Sequence, residues 1–388
     1  MFLSPISRFL GLLGCLVLAT NPVFGAKLLQ IQALWRHGDR TPGGTYPKDP
    51  YQENAWPLPF GELTTRGMWQ QFQQGLKLKQ EYINKNKLVS AKYQPNEIYI
   101  RSTDVRRTLV SAYSNLAGFY CESNGSYPDE LRWPSNWTPI PVHTAPASSD
   151  TLMNLAWSCP RRDQLDATLF SRKEYQDMIA RNKAFYDLIQ EKSGWNVTDA
   201  ANMFSLGNVL FIEKFHNMTL PSWVTDDIYE KIREIGEPGW DYIFGGAAYG
   251  MPENVEMVKL YNGLLTTHMI ENMKKRINGT SKVLYHGFSG HDNTIAGLLR
   301  TLGAKDAVAG HETADYASTV VLELWETTPR NHAVRARWSA NAESPFVTIT
   351  DKVAGCPKSE FCPLDTLIQG RQKYLVYDIA TACEARTE

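Results

Sequence analysis

A strand-like apolar segment that runs directly into a cluster of arginine and histidine is the feature that most constrains this chain. Residues 27–34 are largely apolar, and the sequence continues Trp-Arg-His-Gly-Asp-Arg. A phosphate monoester is a dianion, so its site needs convergent cations, and the planar fork of arginine suits phosphate oxygens. A neutral imidazole such as His37, placed between Arg36 and Arg40, can attack phosphorus and form a covalent intermediate. Gly38 would then let the backbone turn close to the ligand, because it has no side chain. The alternative interpretation of the Arg-His-Arg cluster is a surface group that binds nothing.

A second strand-like segment, residues 96–101, ends in Arg101. Ser102 and Thr103 follow as candidate helix caps, and apolar residues then recur at helical spacing. The pattern predicts that Arg101 lies at the carboxyl end of a strand and before a helix. Ligands bind at this edge in open α/β sheets, and helix N-termini favour anions. The alternative interpretation of Arg101 is an ion pair with Asp104.

A third segment, residues 282–288, is again strand-like and leads through a glycine-rich turn to His291, Asp292 and Asn293. A helix is predicted next, over residues 294–302. His291 could donate a hydrogen bond to a phosphate oxygen, and Asp292 could hold a proton for a leaving oxygen if its pKa is raised. The competing interpretation of Asp292 is a helix N-cap, a role that Asn293 could fill instead.

The run from Arg36 to Pro42, together with the later His291-Asp292 pair, resembles the histidine acid phosphatases of the branch 2 histidine phosphatase superfamily. The lysosomal and prostatic type is the most similar, and the resemblance covers nearly the whole mature chain. It implies that His37 becomes phosphohistidine, that Asp292 protonates the leaving alcohol, and that a water then hydrolyses the intermediate. It also implies a phosphate-binding set formed by Arg36, Arg40, Arg101 and His291. No metal or other cofactor is expected, because arginines can supply the positive charge that phosphoryl transfer requires.

The distribution of elements predicts an α/β fold with two lobes. Strand-like runs lie near residues 27–35, 96–101, 139–144, 282–288 and 318–326, with helical patterns between them. We predict a larger domain, residues 26–149 and 261–388, in which helices flank a central mixed sheet. Residues 150–260 are predicted to form a smaller, mostly α-helical inserted domain. Its aromatic residues are interpreted as core or as a surface for the leaving group: Trp157, Trp195, Trp223, Trp240, Tyr242, Phe244 and Tyr249.

Residues 1–25 are typical of a signal peptide, with Arg8 followed by an apolar stretch that is too short for a comfortable membrane span. Cleavage is expected before Ala26. The chain also carries glycosylation sequons at Asn124, Asn136, Asn196, Asn217 and Asn278. We therefore predict a secreted glycoprotein without a membrane anchor, with the lysosomal lumen as a second location.

An oxidising compartment favours disulfide bonds. Cys15 leaves with the signal peptide, and Cys356 and Cys362 are close enough in sequence for a local bridge. The family resemblance pairs Cys159 with Cys383. Cys121 is then left over, either as a buried thiol or in an intermolecular bridge.

Composition narrows the set of partners. The formal net charge is −1, so nothing indicates nucleic acid or a membrane surface as a partner. Small phosphomonoesters are the expected substrates, and we allow for a homodimer. Only Lys48 adds a cation soon after Arg40, which favours a simple monoesterase over a phytase-like inositol phosphate phosphatase. A secreted glycoprotein that binds a phosphorylated ligand without turnover is the remaining alternative.

Overall fold

The computed structural model describes residues 25–122, 125–134, 137–154 and 157–386. The predicted signal peptide lies outside the described residues apart from Gly25, and the sequons at Asn124 and Asn136 lie outside them as well. Within the described residues, no helix combines the length and the apolar character needed to cross a membrane.

Strands and helices are numbered separately in chain order. The strands are β1 (Lys27–Arg36), β2 (Ile98–Ser102), β3 (Val142–His143), β4 (Tyr285–Gly290), β5 (Thr319–Thr328), β6 (Asn331–Ser339), β7 (Val347–Thr348) and β8 (Cys362–Pro363). The helices before β4 are α1 (Thr65–Lys79), α2 (Arg106–Phe119), α3 (Pro160–Ser171), α4 (Lys173–Arg181), α5 (Lys183–Ser193), α6 (Ala200–Phe215), α7 (Asp226–Ile243), α8 (Val255–Val258) and α9 (Leu264–Ile277). The helices after it are α10 (Asp292–Thr301), α11 (Lys305–Ala309), α12 (Leu364–Arg371) and α13 (Ile379–Ala382).

The strands form one mixed sheet in the order β3-β2-β4-β1-β5-β6-β7, with β8 on β6. From β3 to β1 the neighbours are parallel, and from β1 to β7 they are antiparallel. Arg36 is in register with Gly290, and Ser102 with Ser289. The carboxyl ends of β1, β2 and β4 therefore lie side by side at one edge. This arrangement confirms the predicted α/β fold with a central mixed sheet.

Helices cover both faces of the sheet, as the alternation of side chains along β1 requires. Leu34 packs in one apolar cluster with residues of α9 and α10, such as Met269. Its neighbour Trp35 packs on the opposite face, in a cluster that includes Leu78 of α1 and Leu116 of α2. The strand is buried on both sides, so the arginine that ends it is held firmly.

Helices α3 to α7 pack around a third apolar cluster. Tyr46 and Cys383 also belong to this cluster, although they lie outside residues 150–260. Of the aromatic residues singled out in this region, Trp157, Tyr242 and Phe244 are buried. The division of the chain into two domains, with residues 150–260 as the inserted one, stays a prediction.

Both predicted disulfide bonds are present. Cys159 is bonded to Cys383, across 224 residues of sequence, and Cys356 is bonded to Cys362. The first bond joins the start of α3 to the segment after α13. Cys121 is a free, half-buried thiol.

Candidate active site

The candidate residues converge at the edge where β1, β2 and β4 end. A cavity of about 570 Å³ opens there, and its polar lining includes His37, Arg40, Arg107, His291 and Asp292. Arg36 is almost fully buried beside it, with Nη2 3.0 Å from Oδ2 of Asp292. The structure therefore brings together five of the six predicted site residues, the exception being Arg101.

The loop that follows β1 is fixed by backbone contacts from several directions. Gln71 Nε2 donates to the carbonyl of Arg36 at 2.7 Å, and the Asp39 N–H donates to Gln70 Oε1 at 2.8 Å, so α1 holds both sides of His37. The Ala317 N–H donates to the carbonyl of His37 at 3.1 Å. These bonds satisfy the polar backbone of a buried loop and leave the His37 ring as its reactive part.

Gly38 is required for a different reason from the one predicted. A Cβ atom at this position would lie 2.3 Å from the carbonyl oxygen of Gly67, and one on Gly67 would lie 2.2 Å from the carbonyl oxygen of Asp39. The first turn of α1 thus packs against the loop with no side chain between the two backbones. The expectation that Gly38 makes room for the ligand is corrected: it makes room for the helix.

The hydrogen bond of the His37 ring determines its tautomer. Nδ1 lies 2.8 Å from the carbonyl oxygen of Gly38, which can only accept, so Nδ1 carries the proton and Nε2 keeps its lone pair. Burial, followed by the positive charges of Arg107 and Arg36, holds the pKa of His37 well below 6.5. The ring is therefore neutral, and nucleophilic, in mildly acidic solution.

We expect the His37 imidazole to remain neutral as the pH falls through 6.5, where an ordinary histidine becomes charged. Lowering the pKa means that protonation, and loss of the nucleophile, occurs only at more acidic pH. Proton NMR titration of the imidazole signals, with His37→Gln to assign the resonance, measures this directly. A His37 signal that titrates near 6.5 would contradict the electrostatic account of the site.

Asp292 is the first residue of α10, and His291 is the N-cap. The N-cap interpretation of Asp292 is therefore wrong. Its Oδ1 accepts from the Asn293 N–H at 2.7 Å, while Oδ2 faces Arg36. Burial by itself raises the pKa of Asp292, but the charges of Arg36 and Arg40 outweigh it and leave the pKa below its ordinary value. A bound phosphate dianion would offset those charges, and the carboxyl would then take up a proton more readily.

Arg101 lies away from this group. Its Nη2 is 2.6 Å from Oδ1 of Asp150, a fully buried carboxylate, and it is not among the lining residues of the cavity. The alternative pairing with Asp104 is not observed either. Asp150 Oδ1 also accepts from the N–H groups of Leu152 and Met153, so the ion pair stabilises a turn beside the cavity. The placement of Arg101 in the phosphate site is corrected on this geometry.

Arg107 occupies the place that we had expected for Arg101. It belongs to the first turn of α2, lines the cavity, and places Nη2 3.4 Å from Nδ1 of His291. Nε2 of His291 lies 3.0 Å from Thr103 Oγ1. Burial and the charge of Arg107 hold the pKa of His291 well below its ordinary value, so the ring is neutral and can accept from Arg107 and donate to Thr103. In this structure His291 orients an arginine.

The comparison with known proteins agrees with this geometry. A family model described as the histidine phosphatase superfamily, branch 2, matches residues 27–339. The chain belongs to this superfamily. The predicted resemblance is thereby confirmed.

Relatives and structural neighbours of this histidine phosphatase cover nearly all of it. Lysosomal acid phosphatase of Homo sapiens is 31% identical, over 96% of this chain and 84% of the relative. Prostatic acid phosphatase of Mus musculus is 32% identical, over 98% and 96%. The phytase of Citrobacter braakii has a similar fold, with a TM-score of 0.63 and 14% identity over 93% of this chain and 100% of that chain. Hafnia alvei phytase in complex with tartrate has a TM-score of 0.61 and 15% identity, over 93% and 99%.

Tyr316 is a residue of this histidine phosphatase site that the sequence analysis missed. Its ring lies under the Arg36 guanidinium, 4.5 Å from ring centroid to Cζ, and 5.9 Å from the His37 ring. The carbonyl of Ala314 accepts from Nη1 of Arg36. Ala317 adopts a left-handed backbone with φ of 59°, which a residue with a Cβ rarely takes. The turn before β5 thus fixes the orientation of Arg36. The sequence of that turn contains no pattern that would indicate this contact.

One group of residues of the described chain could geometrically hold a metal ion: Asp241, Asp306 and His311. Arg300 already pairs with Asp241, and Lys305 Nζ lies 3.7 Å from it. Two cations therefore offset the buried carboxylate of this group. None of these three residues lines the cavity that contains His37.

Proposed function

We propose that this histidine phosphatase is an acid phosphatase that hydrolyses phosphate monoesters through a phosphohistidine on His37. The observation that carries the proposal is the free Nε2 of a neutral, buried imidazole surrounded by Arg36, Arg40 and Arg107. Such a site can bind a dianion and present an uncharged nucleophile to its phosphorus. The names of the acid phosphatase relatives support the same activity.

The reaction has two displacements at phosphorus. In the first, the Nε2 lone pair forms the P–N bond, the P–O bond to the alcohol breaks, and protonated Asp292 gives its proton to the leaving oxygen. In the second, Asp292 as a carboxylate takes a proton from water, whose oxygen attacks phosphorus while the P–N bond breaks. His37 returns to its neutral form, and inorganic phosphate leaves.

The arginines supply the charge for both displacements. Arg40 is fixed by Nη1 on the Thr41 carbonyl and by Nη2 on Asn208 Oδ1, each at 2.9 Å. Arg36 is fixed by Tyr316, and Arg107 lies beside His291. Arginines held before substrate arrives need little reorganisation during the reaction, which is the condition for effective electrostatic catalysis. The phosphate-binding set that we propose is Arg36, Arg40 and Arg107, and His291 serves to orient Arg107.

Asp292→Asn tests the proposed role of the carboxyl. The amide oxygen can still accept from the Asn293 N–H, but the side chain can no longer deliver a proton. We expect kcat for glycerol phosphate to fall about 10²–10⁴-fold. The loss on p-nitrophenyl phosphate should be much smaller, because this leaving group departs with little help.

Steady-state rates for both esters measure these losses, and a melting curve of each protein shows whether the variant is folded. Equal losses on the two esters would count against a general acid at Asp292. Absence of hydrolysis of any phosphate ester by the unmodified protein would overturn the proposed function itself.

The compartment is part of the proposal. The relatives include lysosomal and prostatic acid phosphatases, and the two disulfide bonds suit an oxidising environment. The sequon residues Asn196, Asn217 and Asn278 are all exposed, as glycan attachment requires. We propose a signal peptide over residues 1–25 and a glycoprotein that is secreted or lysosomal. A homodimer stays a prediction, which sedimentation analysis of the purified protein would test.

A further inference from the structure

A second cavity lies at the end of the sheet where β1 begins, opposite to the end that carries His37. Thr327, which lines it, follows Glu326, the partner of Lys27 at the start of β1. The cavity has a volume of about 560 Å³ and lies between the last turn of α9, the turn from β5 to β6, and the start of α12. Its size is typical of sites that bind small molecules. Asn278, the last sequon residue of the chain, belongs to the lining, and we call the cavity the Asn278 groove.

The side chain of Asn278 is held in one orientation by its own turn. Asn278 is the C-cap of α9, and Gly279 after it has a left-handed backbone with φ of 76°. Thr280, the third residue of the sequon, donates to Oδ1 of Asn278 from its N–H at 3.1 Å and from its Oγ1 at 2.6 Å. Because Oδ1 is bonded back to the turn, Nδ2 is the end of the amide that is left for a glycan.

The lining of the groove combines apolar surface with free polar groups. Ile277 and Ile368 are both half-buried, so each still presents apolar surface outside the core. Arg330, His332 and Asp365 line the groove too, and their side chains make no hydrogen bond within the described part of the chain. A sugar ring has a C–H face and a rim of hydroxyl groups, and these can donate to a carboxylate and accept from a guanidinium. The groove therefore matches the chemistry of a sugar.

The charges of the groove are nearly balanced. Nζ of Lys274 lies 2.9 Å from Oε1 of Glu271, and the remaining lining charges include one arginine, Arg330, and one carboxylate, Asp365. An ionic ligand would find no excess of opposite charge here, whereas a neutral sugar needs none. A glycan attached to Asn278 also starts at the groove, so its binding is intramolecular and weak contacts are enough to hold it.

We propose that Asn278 carries an N-linked glycan whose first sugar residues lie in the Asn278 groove, against α9, the β5–β6 turn and α12. In the attachment, Nδ2 forms a bond to C1 of the first sugar, the C1–O bond to a lipid diphosphate carrier breaks, and one amide proton is lost to solvent. The inference rests on the proposed function, because the glycan is added only if the chain enters the secretory pathway. The bound glycan would join three segments that are distant in sequence.

Enzymatic release of the glycans tests the groove, because a peptide N-glycosidase must reach the bond between Asn and the first sugar. The full chain, secreted by eukaryotic cells, is digested in its native state, and mass spectrometry follows each sequon, since a released Asn becomes Asp. We expect release at Asn278 to be about tenfold slower than at the exposed Asn196, because the glycan must first leave the groove. After denaturation, the two sites should be released at similar rates.

A variant that fills the groove provides the second measurement. Asp365 is exposed in the first turn of α12, so Asp365→Trp adds a ring to the groove without removing a side chain from the core. We expect it to raise the release rate at Asn278 about tenfold by displacing the glycan, with no change at Asn196. Asp306→Trp, at an exposed acidic residue in the first turn of α11, is the matched control and should change neither rate. Melting curves establish that both variants are folded.

The outcomes separate this inference from the proposed function. If Asn196 carries a glycan and Asn278 does not, or if native release is equally fast at both, the groove is overturned and the proposed compartment stands. The groove is also overturned if Asp365→Trp leaves release at Asn278 unchanged. If no sequon carries a glycan, the groove and the proposed compartment both fail. Slow release at Asn278, relieved by Asp365→Trp, in a protein that hydrolyses no phosphate ester would support the groove and overturn the proposed phosphatase activity.

Discussion

Replacement of His37 by alanine is expected to lower kcat/KM for p-nitrophenyl phosphate by at least about 10⁴-fold, because the reaction then lacks its nucleophile. The fold should survive, since the ring makes one hydrogen bond, to the carbonyl of the neighbouring Gly38. The bonds that hold the loop involve the backbone of residues 36–39 and remain available. Steady-state rates and a melting curve measure the two effects.

The chemical identity of the intermediate provides the stronger readout. Substrate labelled in the phosphoryl group, stopped with denaturant at alkaline pH, should leave label on the wild-type protein as a base-stable, acid-labile phosphoramidate. His37→Ala should carry no label. His332→Ala, at a histidine of β6 beside the β5–β6 turn, is the control and should keep both label and rate. Activity of His37→Ala within tenfold of the wild type would rule out the assigned role.

The predicted site and the observed site differ in one arginine: the sequence indicated Arg101, and the structure has Arg107 in the cavity. Arg107→Met should reduce kcat/KM about 10²–10³-fold, because it removes a preorganised charge from the cavity. Arg101→Met should leave kcat/KM within about tenfold of the wild type but lower the melting temperature. The reason is that Asp150, a fully buried carboxylate, loses its partner, a change that typically costs about 3–5 kcal/mol.

The ion pair between Arg101 and Asp150 allows a control experiment. Asp150→Asn combined with Arg101→Met removes both charges, so part of the lost stability should return. No second substitution at Asp150 is expected to restore activity to Arg107→Met. If Arg101→Met were instead as inactive as Arg107→Met while remaining stable, Arg101 would belong in the phosphate site after all.

The sequence indicated Arg101 as a phosphate ligand, whereas the structure places Arg107 in the cavity, and the reason for this difference is physical. The sequence indicates that a strand ends near Arg101 and that a helix follows, and both features are observed. It does not determine which way the side chain of Arg101, the second-last residue of β2, points. That direction depends on Asp150, which comes from a distant turn. Arg107 could have been found from its place in the first turn of the helix, where side chains lie near anions bound at the N-terminus.

The motifs at the ends of β1 and β4 were more informative because they fall on parallel neighbours of one sheet. Strands β7 and β8 were missed because they are too short to show a pattern. The longer strand β6 was missed because Arg335 and Arg337 interrupt its apolar residues. Both arginines pair with the buried Glu323 of β5, and only the assembled sheet reveals that compensation. Tyr316 and the reason for Gly38 likewise depend on contacts between segments far apart in sequence.

The position of β4 in the sheet has a consequence for how the protein is made. β4 lies between β2 and β1, although it comes after both of them and after helices α1 to α9 in the chain. During synthesis, β1 and β2 emerge early and then wait, each with an unpaired edge, until Tyr285–Gly290 leaves the ribosome. Pairings between such distant segments form slowly, and exposed edges invite association with other chains in the meantime. The pairing of β4 with β1 and β2 brings Asp292 to His37 and also joins the two early strands into one sheet, so a chain in which β4 has not yet paired cannot carry an assembled active site.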